Sequence, residues 1–115
     1  INGLINAIKF YKDEPELNYY IRCFDGIEEL KREEIKSSGY IVDTLEAVLW
    51  CLLTTETYSE CVRLAVNLGE DTDTVGAVAG SLAGALYGYS EIPCSWLNTL
   101  AKKEEIEKLI NSTMP

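Results

Sequence analysis

Two carboxylates two residues apart, Asp71 and Asp73, stand in the stretch Glu70-Asp71-Thr72-Asp73-Thr74. With the hydroxyl of Thr74 they offer hard oxygen donors of the kind that suit Mg²⁺, Ca²⁺ or Mn²⁺. At i and i+2 their side chains need not point apart if the backbone curls. A cation between them would also relieve their repulsion. The same residues have a second chemistry. Asp or Thr ahead of a helix accepts hydrogen bonds from the free N–H groups of the first turn, and negative charge there complements the helix dipole. Capping and cation binding are compatible, since one Asp can cap while the other ligates. An EF-hand is excluded. Asp71, Asp73 and Gly76 fit the first, third and sixth loop positions, but the fifth and twelfth are Val75 and Leu82. That site requires a bidentate Glu at the last position.

Other chemistries are closed by composition. The chain has 115 residues and no His, which removes Ser-His-Asp and Cys-His nucleophile pairs and HExxH zinc sites. Nineteen acidic against ten basic residues give a formal net charge of −9, the wrong sign for a nucleic-acid binder. A 47% hydrophobic share argues for a folded domain over an acidic tail. Cys23, Cys51, Cys61 and Cys94 form no CxxC, and Cys51 and Cys61 fall in apolar helical patterns that predict core thiols. The longest uncharged stretch, residues 75–90, is shorter than the roughly 20 apolar residues of a membrane helix. No membrane partner is expected, and the location read from the sequence is cytoplasmic.

The elements that must position the acidic loop are helices. Leu4, Ile5, Ile8 and Tyr11 follow helical spacing until Asp13-Glu14-Pro15 ends the pattern. Residues 16–25 are ambiguous, and residues 27–36 are charged and helix-prone, with Glu28 and Arg32 at i,i+4. After Ser37-Ser38-Gly39, an amphipathic helix carries Val42, Leu45, Leu49, Leu52 and Leu53. Another begins at Tyr58 and is expected to stop at Gly69. A small-residue helix is predicted from about residue 74 to 87, and a final helical region from Trp96 breaks near Lys102. No alternating strand pattern appears. The expected fold class is all-α, a compact multi-helix bundle.

Gly76, Gly80, Gly84 and Gly88 recur every four residues, near one helical face. An interior Gly costs about 1 kcal/mol of helix stability relative to Ala. The offset expected is close approach of neighbouring backbones, which predicts a buried central Gly/Ala-rich helix with the acidic loop at its start.

The string from Asn67 through Asp71-Thr72-Asp73-Thr74 to Gly80, with Ala83-Gly84-Ala85-Leu86-Tyr87-Gly88, resembles the ADP-ribosylglycohydrolases. So do residues 38–50, Ser-Gly-Tyr-Ile-Val-Asp-Thr-Leu-Glu-Ala-Val-Leu-Trp, and the closing Ile92-Pro93 with Trp96-Leu97. The resemblance covers roughly residues 36–101. It implies an all-α fold, a site for two Mg²⁺ ions in a cleft, and hydrolysis of the bond joining ADP-ribose to a protein side chain or small acceptor. It assigns Asp71, Asp73 and Thr74 as one set of metal ligands, and places Gly39 and Tyr40 where the chain meets ADP-ribose. The other ligand set of the family, a Thr-Asp-Asp run near the start of the enzyme, is not found here, and neither is the family's Gly-Asp-rich N-terminal segment. Residues 1–115, opening on Ile1, therefore read as the C-terminal part of such a domain with the N-terminal half absent. Weak or no activity alone, and self-association or pairing with the missing half, are the expectations. Asp43 and Glu46 read as polar-junction residues, and no residue is assigned as catalytic acid or base. The alternative is a non-catalytic helical module that binds ADP-ribose or a protein.

Overall fold

A computed structural model describes residues 2–114. The first helix, α1 (Asn2–Tyr11), stops before Glu14, whose backbone is extended as the following Pro15 requires. A 3₁₀ turn (Pro15–Tyr20) leads into the one-turn α2 (Ile21–Phe24). Residues 27–36 depart from the helix that their charge pattern predicts. They form two 3₁₀ turns, Ile27–Glu29 and Arg32–Glu34, with Leu30 and Lys31 extended between them. Side chains from other elements bond carbonyls of this segment. Trp50 Nε1–H donates to Leu30 C=O at 2.9 Å, and an Arg22 Nη2 donates to Glu34 C=O at 3.1 Å. The segment becomes a strap, with Ile27 and Ile35 buried at its two ends.

The core lies where α3 (Ile41–Leu53), α4 (Tyr58–Val66) and α5 (Thr72–Tyr87) meet. Ala47, Val48 and Cys51 of α3, Cys61 and Ala65 of α4, and Val75, Ala79 and Ala83 of α5 are fully buried. The four-residue spacing of Val75, Ala79 and Ala83 is one helical stripe, as the period of 3.6 dictates. Thr57 caps α4, its Oγ1 accepting the Glu60 N–H at 3.2 Å. Helix α4 stops at Val66, earlier than Gly69, and Gly69 turns the chain with φ +93°.

Of the four-residue glycine series, one position is decisive. A Cβ on Gly76 would come within 2.7 Å of Val66 Cγ1, so α4 and α5 can lie this close only with hydrogen there. Gly80 and Gly84 would meet Tyr58 at 3.4 and 3.8 Å, and Gly88 lies outside the helix as its C-cap. The expected central Gly/Ala-rich helix is present, and its burial is one-sided. Helix α5 is central, but α3 and α4 cover one side of it, and Val78, Leu82 and Leu86 on the other are exposed.

Helix α6 (Cys94–Thr99) and α7 (Lys103–Thr113) complete the chain. The break falls at Lys102, which turns with φ +57°. Neither α1 nor α7 buries a residue. Among the described residues there is no strand, so the all-α expectation holds, and no helix is long and apolar enough to cross a membrane. All four cysteines are free. Cys23, Cys51 and Cys61 are buried, and Cys94 is exposed. Burial pushes the Cys51 thiol up to about 12.

Candidate metal and substrate site

Helix α5 starts at Thr72, two residues earlier than its pattern predicts. Asp71 is therefore the N-cap residue, and Asp73 and Thr74 lie in the first turn. The two carboxylates at i and i+2 therefore share one helix start. Thr74 Oγ1–H donates to Asp71 Oδ1 at 2.9 Å. The Asp73 carboxyl is held below its ordinary value, first by a hydrogen bond with the Asp71 carboxyl and then by the N–H groups of Thr74 and of Asp73 itself. The capping chemistry thus divides unequally. The Asp71 side chain makes no bond to a first-turn N–H, although its carbonyl accepts from Val75 N–H at 3.2 Å. Asp73 supplies the negative charge at the helix start.

The loop before Asp71 doubles back through two successive left-handed residues, Gly69 at φ +93° and Glu70 at φ +58°. Asp71 N–H then donates to Ser37 C=O at 3.0 Å, tying the loop to the end of the strap. Further back, Arg32 donates to Leu68 C=O. Gly39 and Tyr40, just after Ser37, are the residues expected to meet substrate. A Cβ on Gly39 would stand 3.2 Å from Asp71 Oδ2, so the Gly39 backbone lies directly against that carboxylate. Tyr40 is the N-cap residue of α3 and is 54% exposed. Its N–H donates to Ser38 Oγ at 3.2 Å.

The fold therefore brings Asp71, Asp73 and Thr74 to one helix start and sets Gly39 beside Asp71. The donor set suits a hard divalent cation. It offers two carboxylates and a hydroxyl, with space left at Gly39 beside Asp71 Oδ2. The helix N-terminus carries only about half a positive charge, so two carboxylates leave the point net negative. Among the described residues no third His, Cys, Asp or Glu joins the pair.

Asp43 and Glu46 serve the scaffold. Ser38 Oγ–H donates to Asp43 Oδ2 at 2.6 Å. Glu46 is buried, 3.3 Å from Arg22 Nε, and burial raises its pKa while Arg22 opposes the rise. Ser37 and Arg32 escaped sequence reasoning. Ser37 read only as part of a helix-breaking Ser-Ser-Gly, and nothing local announces that its partner is the acidic loop.

Comparison with known proteins adds the family. A family model described as ADP-ribosylglycohydrolase matches residues 4–114. ADP-ribosylarginine hydrolase Tri1 of Serratia proteamaculans (strain 568) is 52% identical over 81 residues, 70% of this chain and 22% of that protein. The protein of the same name from Pseudomonas putida (strain GB-1) is 49% identical over 68% of this chain and 21% of its own length. ADP-ribosyl-(dinitrogen reductase) glycohydrolase of Rhodospirillum rubrum is 50% identical over 63% of this chain and 24% of its own length. The chain spans between a fifth and a quarter of the length of these curated relatives. With all but a few of its residues matched by one family model and the acidic loop assembled as described, the chain belongs to the ADP-ribosylglycohydrolases.

Proposed function

We propose that this chain contributes the Asp71, Asp73 and Thr74 ligands of a magnesium site to an enzyme that hydrolyses ADP-ribosyl glycosidic bonds. The observation that carries the reading is the Thr74–Asp71 hydrogen bond of 2.9 Å at the start of α5, with Gly39 against the same carboxylate. It puts the oxygen donors next to the segment read as meeting ADP-ribose. Magnesium, two ions in the complete site, supplies Lewis acidity and a template for orienting ribose hydroxyls and a water.

The residues of this chain do the rest of the work assigned here. Asp71 and Asp73 hold negative charge near a reaction centre that becomes oxocarbenium-like as the glycosidic bond breaks. The Thr74 hydroxyl turns toward Asp71 and steadies the pair. Tyr40, half exposed and next in sequence to Gly39, has an aromatic ring and a hydroxyl suited to a nucleotide ring or ribose. The names of the relatives point to ADP-ribosylated arginine and to ADP-ribosylated dinitrogen reductase, so an ADP-ribosylated protein side chain is the proposed substrate, with arginine the first linkage to test. Four unpaired cysteines suit a reducing cytoplasm.

The test begins with binding. Millimolar Mg²⁺ should shift the NMR signals of residues 69–76. In a full-length family chain carrying this segment, Asp73→Asn should abolish release of ADP-ribose from ADP-ribosylarginine while the helical CD spectrum stays. Unchanged signals, or wild-type turnover in Asp73→Asn, would leave the chain as a helical module that binds without a metal.

A further inference from the structure

We propose that Ser37 is the positioning residue of the acidic loop, fixing the backbone on both sides of Glu70 and thereby setting where the Asp71 carboxylate stands for a cation. The inference rests on the magnesium reading above and adds a residue to it. Ser37 makes two bonds to the loop, in opposite directions. Its carbonyl accepts the Asp71 N–H at 3.0 Å, and its hydroxyl donates to the Gly69 carbonyl. The residues it grips flank Glu70, one of two described non-glycine residues in the left-handed region. Such a backbone persists only when its surroundings over-determine it. Here Ser37 bonds the peptide groups on both sides of Glu70, and Arg32 holds the Leu68 carbonyl just before them.

Three features separate Ser37 from an ordinary satisfied serine. It is 2% exposed, so water does not compete for its hydroxyl. It sits at the end of a strap that is itself anchored, by Trp50 to Leu30 and by Arg32 to Leu68, so it is a fixed reference point for the loop. Its neighbours have other duties: Ser38 donates to Asp43, and Gly39 lies against Asp71 Oδ2. Ser37 therefore holds the backbone of Asp71, while Gly39 leaves room for its carboxylate. One short segment sets both the cation side and the nucleotide side of the site.

The experiment is a Mn²⁺ titration of the ¹⁵N-labelled chain, read as paramagnetic broadening of the amides of residues 69–74, with amide hydrogen exchange measured in the metal-free protein. Metal-free wild type should protect the Asp71 amide from exchange. Ser37→Ala should speed that exchange and raise the Mn²⁺ midpoint about tenfold or more, the usual scale for losing a partner that orients a ligand. Ser37→Thr, which keeps the hydroxyl, should restore much of the affinity. Val48→Ala opens a core cavity in α3 and removes no hydrogen bond to the loop. It should lower the melting temperature and leave the midpoint within about twofold. A fast-exchanging Asp71 amide in wild type overturns the proposal without any variant. So does a wild-type midpoint in Ser37→Ala, or an equal loss in Val48→Ala, which would mean general destabilisation. A wild-type chain with no Mn²⁺ broadening at residues 69–74 overturns the magnesium reading, and this proposal with it.

Discussion

Replacing Gly39 by Ala should weaken cation binding while changing the stability of the fold by no more than about 1 kcal/mol in either direction, because the entropic gain and the strain at Asp71 are of similar size. The two effects have separate origins. Gly39 does not occupy the left-handed region, so an L side chain is compatible with its backbone. Substituting Ala at such a position commonly stabilises by about 0.4–1 kcal/mol, by narrowing the unfolded ensemble. The added Cβ, however, would stand 3.2 Å from Asp71 Oδ2, and the carboxylate must give by a few tenths of an ångström. Asp71 cannot take up that shift by sliding its backbone, because its N–H is held by Ser37 C=O. It must rotate away from a preferred side-chain angle. An off-rotamer side chain costs about 0.5–1.5 kcal/mol, or about twofold to tenfold in affinity. Mn²⁺ titration by NMR or calorimetry would measure the midpoint, and thermal melting followed by CD would measure stability. Gly39→Val should bind more weakly still. Wild-type affinity in both variants would refute the reasoning, since it would mean that Asp71 Oδ2 has no role in holding the cation. A large drop in melting temperature for Gly39→Ala would refute the description of the turn.

Other expectations test the scaffold. Glu46 is a buried carboxyl whose pKa is raised by burial, eased by Arg22, raised again by Asp43 and eased by Lys36. Between the ordinary carboxylate value and that raised value the folded chain holds more protons than the unfolded one, so stability falls as pH rises through the window. The stability of wild type relative to Glu46→Gln should therefore decline from pH 4 toward neutrality in urea melts, and a flat or rising difference would contradict the assignment. Burial holds the Cys23 thiol at about 11 and the Cys51 thiol at about 12, while Cys94 is exposed. Ellman's reagent should titrate Cys94 alone in the native chain and all four thiols in denaturant, and rapid native labelling of Cys51 would refute the packing. Gly76→Ala gains about 1 kcal/mol of helix propensity but overpacks against Val66, at a cost of about 1–3 kcal/mol. Adding Val66→Ala should recover stability in a double-mutant cycle, and strict additivity would show that the two residues do not touch.

The helices were legible because their causes are local. Apolar residues recurring at helical spacing placed α3 and α4, and the phase shift near Lys102 separated α6 from α7. The Asp71-x-Asp73-Thr74 spacing, set between Gly69 and a small-residue helix, was equally plain, as was the family likeness it carries. The strap of residues 27–36 is not legible locally, for the opposite reason. Its charge pattern favours a helix, but Trp50 and Arg22 compete for its carbonyls, and neither is adjacent in the chain.

What the sequence determined by itself is which residues form helices and which offer oxygen donors, because propensity, periodicity and breakers act over a few residues. Tertiary structure alone decided that Gly76 lets α4 close on α5, that Ser37 grips Gly69 from 32 residues away, and that Gly39 makes room for one carboxylate. Those are contacts between segments remote in the chain. Their partners are chosen by how the helices pack, a choice that no local pattern of residues encodes.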